Sequence, residues 1–247
     1  MGNLTSGIVE VDWGSYVPAL IDGLVKTIEF TALSFVGAVM VGLVVALMRL
    51  SPLKALRVLA VIYTELFKNI PLLAIIFLAY FGLSQAGLTL TPFTAGSLAL
   101  VVFYAAYLSE IFRSAITGVH AGQAEASQAL GLNGLATFGS VIFPQALRLA
   151  LAGTNTMAVD LLKSTSLLVT ISAAELMTQG SLITSTTFRA LEVYTVIAVL
   201  YFAMCYPVSQ GLLWLERRVH AGKPLTRSRS RRLREAKRLL EQEGVPA

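Results

Sequence analysis

Cysteine, histidine and charge are scarce in this chain of 247 residues, which has one Cys, two His and only 13% Asp, Glu, Lys and Arg. A single Cys205 excludes an internal disulfide framework. Two His and one Cys leave no set of soft ligands for a metal site. Also missing are GxxxxGK[ST], HExxH, GxSxG and paired-cysteine patterns. The chain is therefore not expected to hydrolyse ATP, and a membrane-embedded enzyme would lack its nucleophile–base or metal constellation. No cofactor of its own is expected, and any energised role needs a partner that binds ATP.

What the chain has in excess is apolar sequence. It is 55% hydrophobic with a mean hydropathy of +0.72, against about 45–50% apolar and about 25% charged in a soluble domain. The apolar residues come in runs of about 20 or more, the length that crosses the hydrocarbon of a bilayer. Five spans are predicted at about 18–50, 56–83, 92–116, 144–172 and 189–215, which makes this an all-α membrane protein. Pro18 suits the first turn of the first span, and Pro207 is expected to bend the last. Residues 173–188 form a connection on the outer side, partly helical.

Charge sets the expected sidedness. Residues 1–17 carry Glu10 and Asp12 and no Lys or Arg, the wrong sign for a signal-peptide start, and are read as an extracytoplasmic segment. The first span ends on Arg49, with Lys54 and Arg57 close behind. From Glu216 onward ten Lys and Arg face four Glu, so residues 217–247 read as a basic cytoplasmic tail. A basic run directly after a span marks the cytoplasmic side and touches anionic membrane lipid; no nucleic-acid partner is expected. The N-terminus is placed outside and the C-terminus inside, with residues 18–216 as the membrane domain.

Two groups of residues stand out. Gly118–Phe143 is too polar and too rich in glycine to span. It holds a short helix, Gln123–Leu130, between Gly122 and Gly131. Ala124, Ala126, Ala129 and Leu130 give that helix a small apolar face, with Glu125 and Gln128 at its edges, and Gly131 is expected to be its left-handed cap. Pro144 then starts the next span. Such a helix can dock in a groove of a soluble partner or rest on the membrane surface, though it lacks the bulky and basic residues of surface helices.

The second group is ionisable residues inside spans, which are costly there and so candidates for function. Thr156, Asp160, Lys163 and Ser164 recur at helical spacing and share one stripe of the fourth span; the alternative is that Asp160 and Lys163, three residues apart, simply neutralise each other. Glu65, Lys68 and Asn69 precede Pro71 in the second span, where proline frees a backbone carbonyl, an arrangement transporters use at mid-membrane. Glu110, Arg113 and Arg148 read as structural pairs bracing the polar loop.

Glu125-Ala126-Ser127, three residues, Gly131, nine residues and Val141-x-Phe143-Pro144 resemble the EAA loop of bacterial ABC importer permeases. Gly122-Gln123 before it and Pro144-Gln145-Ala146-Leu147-Arg148 after it resemble the polar amino acid branch, as does Lys163-Ser164-Thr165-Ser166-Leu167. The likeness runs from about Gly23 to Glu216. It implies the five-span type I importer permease fold in a bacterial inner membrane, with the 118–144 loop as coupling element to a cytoplasmic ATPase. Gly122, Gln123, Glu125, Ala126, Gly131 and Pro144 would be the coupling residues. It also implies an ATPase dimer, an extracytoplasmic amino-acid-binding protein, and a second permease subunit, identical or homologous. Cargo would be a polar or charged amino acid touching Thr156, Asp160, Lys163, Ser164, Glu65, Lys68 and Asn69. An ATPase-independent channel or secondary transporter is the rival, and it leaves the EAA-like loop unexplained.

Overall fold

A computed structural model describes residues 13–221; the acidic N-terminal segment before Trp13 and the basic tail after Ala221 lie outside the described residues. The described chain is helical throughout. Helix α1 runs Trp13–Leu50, α2 Lys54–Asn69, α3 Leu72–Gln85, α4 Pro92–Thr117, α5 Ala121–Ala129, α6 Gly134–Ile171, α7 Leu176–Thr187 and α8 Ala190–Ala221.

Four of these, α1, α4, α6 and α8, are long and apolar enough to cross a membrane, and α2 with α3 makes a fifth if it crosses as a broken span. The break falls at Pro71, where the sequence placed a freed backbone carbonyl. The chain bends by 106° between Asn69 and Leu72, where Ile70 is extended and Pro71 cannot donate to the helical ladder. Pro18 is not in a first turn, because α1 already runs from Trp13. Helix α6 begins ten residues before Pro144 and reaches it through a widened turn over Phe138–Ile142. That turn lies just before the residue whose missing N–H interrupts the ordinary ladder.

Helix α4 is the hub. Its residues Ala95, Ala99, Leu100, Tyr104, Ala105 and Leu108 are essentially inaccessible, and it packs on α1, α2, α3 and α6. Small residues let the axes approach, as they do between membrane helices generally. A Cβ built on Gly42 of α1 would lie 2.9 Å from the Leu108 Cβ and 3.1 Å from the Ala105 carbonyl oxygen of α4. Gly42→Ala is therefore expected to lower the melting point of the purified chain by the equivalent of about 1–3 kcal/mol, the usual cost of overpacking. Gly82→Ala, where the nearest atom is 3.6 Å away, should leave it near the native value.

Candidate functional site

The fourth-span stripe lies along α6 where that helix faces α8. Thr156, Asp160 and Lys163 line a groove of about 280 Å³ together with Asn155, Ser209 and Glu216. Val159, Lys163 and Ser209 continue into a second cavity of about 540 Å³, walled by Tyr201, Phe202, Cys205 and Tyr206. The two share residues and form one groove, polar toward Glu216 and aromatic toward Tyr201. The stripe forms because 3.6-residue spacing keeps these positions on one side of α6. Leu161 and Leu162 on the other side are buried.

Ser164 departs from the stripe. Its hydroxyl pairs with the Tyr104 hydroxyl at 2.8 Å, and the same Tyr104 hydroxyl donates to Asp160 Oδ2 at 2.8 Å. Tyr104 of α4, itself buried, thus fixes Asp160 from behind while the carboxylate stays open to the groove. Asp160 and Lys163 form no ion pair with each other among the described residues. Mutual neutralisation does not account for them. Asn155 joins the two walls by donating to the Leu212 carbonyl at 3.2 Å and to Glu216 Oε2 at 3.1 Å.

The second-span group sits elsewhere. Glu65, Lys68 and Asn69 line neither cavity. Asn69 donates to the Glu65 carbonyl at 2.7 Å, and Lys68 Nζ lies 3.8 Å from Glu110 Oε1. Glu110 also accepts from Arg49 at the end of α1 and from Arg113 at 3.1 Å. Arg148, expected in this cluster, is not among the partners of Glu110. The cluster ties α1, α2 and α4 together at their charged ends. Lys68 stands three residues after Glu65, the spacing of a local helical pair, but its ammonium is directed to Glu110 across the helix boundary.

The polar loop folds into α5, which starts two residues before the expected Gln123 because His120 serves as N-cap, its Nδ1 accepting from the Gly122 N–H at 3.1 Å. Its end is a Schellman motif: the Leu132 N–H reaches the Ser127 carbonyl at 3.1 Å and the Gly131 N–H reaches that of Gln128 at 2.9 Å. Gly131 closes it at φ +80°, a conformation that costs most residues about 1–2 kcal/mol and glycine almost nothing. Ser127 is turned inward, while Glu125, Ala126, Gln128 and Ala129 are exposed and Leu130 is 82% exposed. Ala124, expected on the presented face, is half-buried. A side-chain bond from Gln145 of α6 to Gln123 Oε1, 3.2 Å, ties α5 to the helix that carries the groove.

One ionisable residue beyond the far end of α6 had no sequence signal. Glu175 is fully buried and caps α7. Its Oε1 accepts from the Thr178 N–H at 2.6 Å and the Thr178 hydroxyl at 2.9 Å; its Oε2 accepts from the Met177 N–H at 2.8 Å and the Tyr201 hydroxyl at 2.9 Å. Burial pushes its carboxyl above the ordinary range, against the downward pull of those donors. It fell in a stretch read as a connection, and only its position one residue before a helix would have marked it as a cap.

Residues 38–221 match the family described as binding-protein-dependent transport system inner membrane component. A probable glutamine ABC transporter permease protein of Bacillus subtilis is 34% identical over 198 residues, 80% of this chain and 92% of that protein. The glutamine transport system permease protein of Escherichia coli is 33% identical over 216 residues, 85% of this chain and 99% of its own length. A crystal structure of an amino acid ABC transporter with histidines superposes with a TM-score of 0.80 at 36% identity, covering 85% of this chain and 99% of that one. An inward-facing structure of a methionine ABC transporter, at 20% identity and a TM-score of 0.67, shares the fold.

Proposed function

The chain belongs to the family of binding-protein-dependent transport system inner membrane components, and on that premise we propose that it carries an amino acid along the groove between α6 and α8. As a permease subunit of an ATP-driven importer it is a transport component, working with an ATPase and an extracytoplasmic binding protein. Relatives are named for glutamine and for glutamate transport, so a polar or charged amino acid is the cargo class.

The observation that carries this reading is the continuity of α6. One end of this helix is bonded to α5 through Gln145 and Gln123. Further along it come Thr156, Asp160 and Lys163, lining the groove. Closure of an ATPase pair against α5 would push on α6 and re-angle the groove, alternating its access between the two sides. Gly122, Gln123, Glu125, Ala126, Gly131 and Pro144 form and brace this lever. ATP stays on the partner.

Two such permease subunits would enclose the pathway. Asp160, Lys163 and Thr156 are exposed on the isolated chain; charges at that depth do not face hydrocarbon, so they face a watery path or the second subunit. Glu65, Lys68 and Asn69 contribute less directly, Lys68 being bound to Glu110. Arg49 and Arg113 meet on Glu110 at one end of the bundle, and with Lys54 and Arg57 following Arg49 in the chain this supports a cytoplasmic placing of that end and an outside N-terminus.

The test is ATP-dependent uptake by the complex of permease, ATPase and binding protein in proteoliposomes. Asp160→Asn is expected to lower uptake at least about tenfold, the scale of one charged contact, while the complex still assembles and hydrolyses ATP. Full uptake by Asp160→Asn would remove the groove from the pathway.

A further inference from the structure

We propose that the groove between α6 and α8 accepts amino acids with neutral or cationic side chains and turns away acidic ones. This rests on the groove being the cargo site and adds the class of side chain it reads.

The inference starts from the cations. Among the described residues lining the two joined cavities, Lys163 is the one cation. Three other basic side chains of the bundle are engaged elsewhere: Lys68, Arg49 and Arg113 all sit on Glu110. Every α-amino acid brings one carboxylate and one ammonium. Lys163 suits the first, and Asp160, held open by Tyr104, suits the second. A second carboxylate on the side chain then meets no cation. A second carboxylate in a lining that already carries Asp160 and Glu216 is disfavoured by like-charge repulsion.

The aromatic end of the groove points the same way. A cargo whose head lies at Asp160 and Lys163 directs its side chain along the shared residues Val159 and Ser209 toward Tyr201, Phe202 and Tyr206. Phe202 and Tyr206 are stacked with centroids 5.6 Å apart. Ring faces carry negative charge density, so they attract cations, tolerate amides and repel carboxylates. The hydroxyl of Tyr201, which could have donated to a carboxylate, is already donated to Glu175 Oε2 at 2.9 Å. Because Glu175 is fully buried and its other three donors come from α7, that ring is a fixed wall and not a free arm.

The experiment measures binding of L-glutamine, L-lysine and L-glutamate to the permease–ATPase complex in nanodiscs without the binding protein, by calorimetry. Glutamine and lysine are expected to bind, and glutamate at least roughly 100-fold more weakly. Cys205→Lys, which adds a cation to the aromatic end, is expected to raise glutamate affinity by about tenfold or more. Ser209→Lys serves the same purpose if the first variant does not assemble. Glutamate bound as tightly as lysine by the native complex overturns the class inference while leaving the site intact, provided Lys163→Met weakens all three. Binding of all three unchanged in both Lys163→Met and Asp160→Asn, or no binding at all, overturns the groove itself as the cargo site.

Discussion

Aspartate at Leu130 or valine at Gly131 is expected to cut ATP-dependent uptake by roughly 30-fold or more, the scale of a lost interface anchor, while the membrane helices stay folded. Leu130 is 82% exposed at the tip of α5 and Leu135, just beyond the turn, 83% exposed. Two large apolar side chains in water beside a short helix mark a docking tip, since α5 itself buries little more than Ser127. A carboxylate at Leu130 would have to be desolvated on docking. Gly131→Val acts differently. A Cβ there meets nothing within 4 Å, so the defect is not a clash but the φ of +80°, which a β-branched residue resists. The Schellman closure would open and the tip would lose its direction. Gly131→Asn, which visits that conformation more readily, should recover most of the activity. The readouts are co-purification of the ATPase and uptake by the assembled transporter, with circular dichroism as the control for folding. Native uptake from both Leu130→Asp and Gly131→Val would mean that α5 transmits nothing.

How much of this was legible in the sequence depends on whether the determining interactions are local. The spans follow from runs of apolar residues, and the cap at Gly131 from a glycine just past a short polar helix; both are decided within a few residues. The groove was half legible. Helical spacing puts Thr156, Asp160 and Lys163 on one side, but their surroundings come from Tyr104, 56 residues before Asp160, and from Tyr201 and Phe202 on α8. Nothing in the spacing points to those partners. Lys68 shows where local reasoning fails, because its partner is Glu110 on another helix, where Arg49 and Arg113 also gather. The 106° break at Ile70 and Pro71 was legible as a weakness but not as an angle. Proline removes a bond; the direction of α3 is then chosen by what Leu72, Ile75 and Ile76 bury.

Glu175→Ala is expected to be the most destabilising single change in the described chain. Removing the carboxylate leaves the Met177 and Thr178 N–H groups and the Tyr201 hydroxyl without their acceptor in a site of zero exposure. Each orphaned donor costs about 1–3 kcal/mol, so the loss is several kcal/mol. At about 2–4 °C per kcal/mol for a chain of this size, the melting point should fall by roughly 10 °C. The damage spreads because α7 is docked from several sides: the Leu176 N–H donates to Thr27 Oγ1 of α1 at 3.1 Å, and Leu176 and Ile183 pack with Val193 and Ile197 of α8. Glu175→Gln keeps the shape but puts an amide NH2 where one oxygen received donors, and should fall between alanine and native. Tyr201→Phe removes one donor and leaves the carboxylate three, so it should cost about 1 kcal/mol. Thermal unfolding of the purified complex separates the series, and the order alanine, glutamine, then Tyr201→Phe is the content of the prediction. Equal melting points for Glu175→Ala and the native chain would mean that α7 is held by its apolar packing alone and that the wall at Tyr201 needs another explanation.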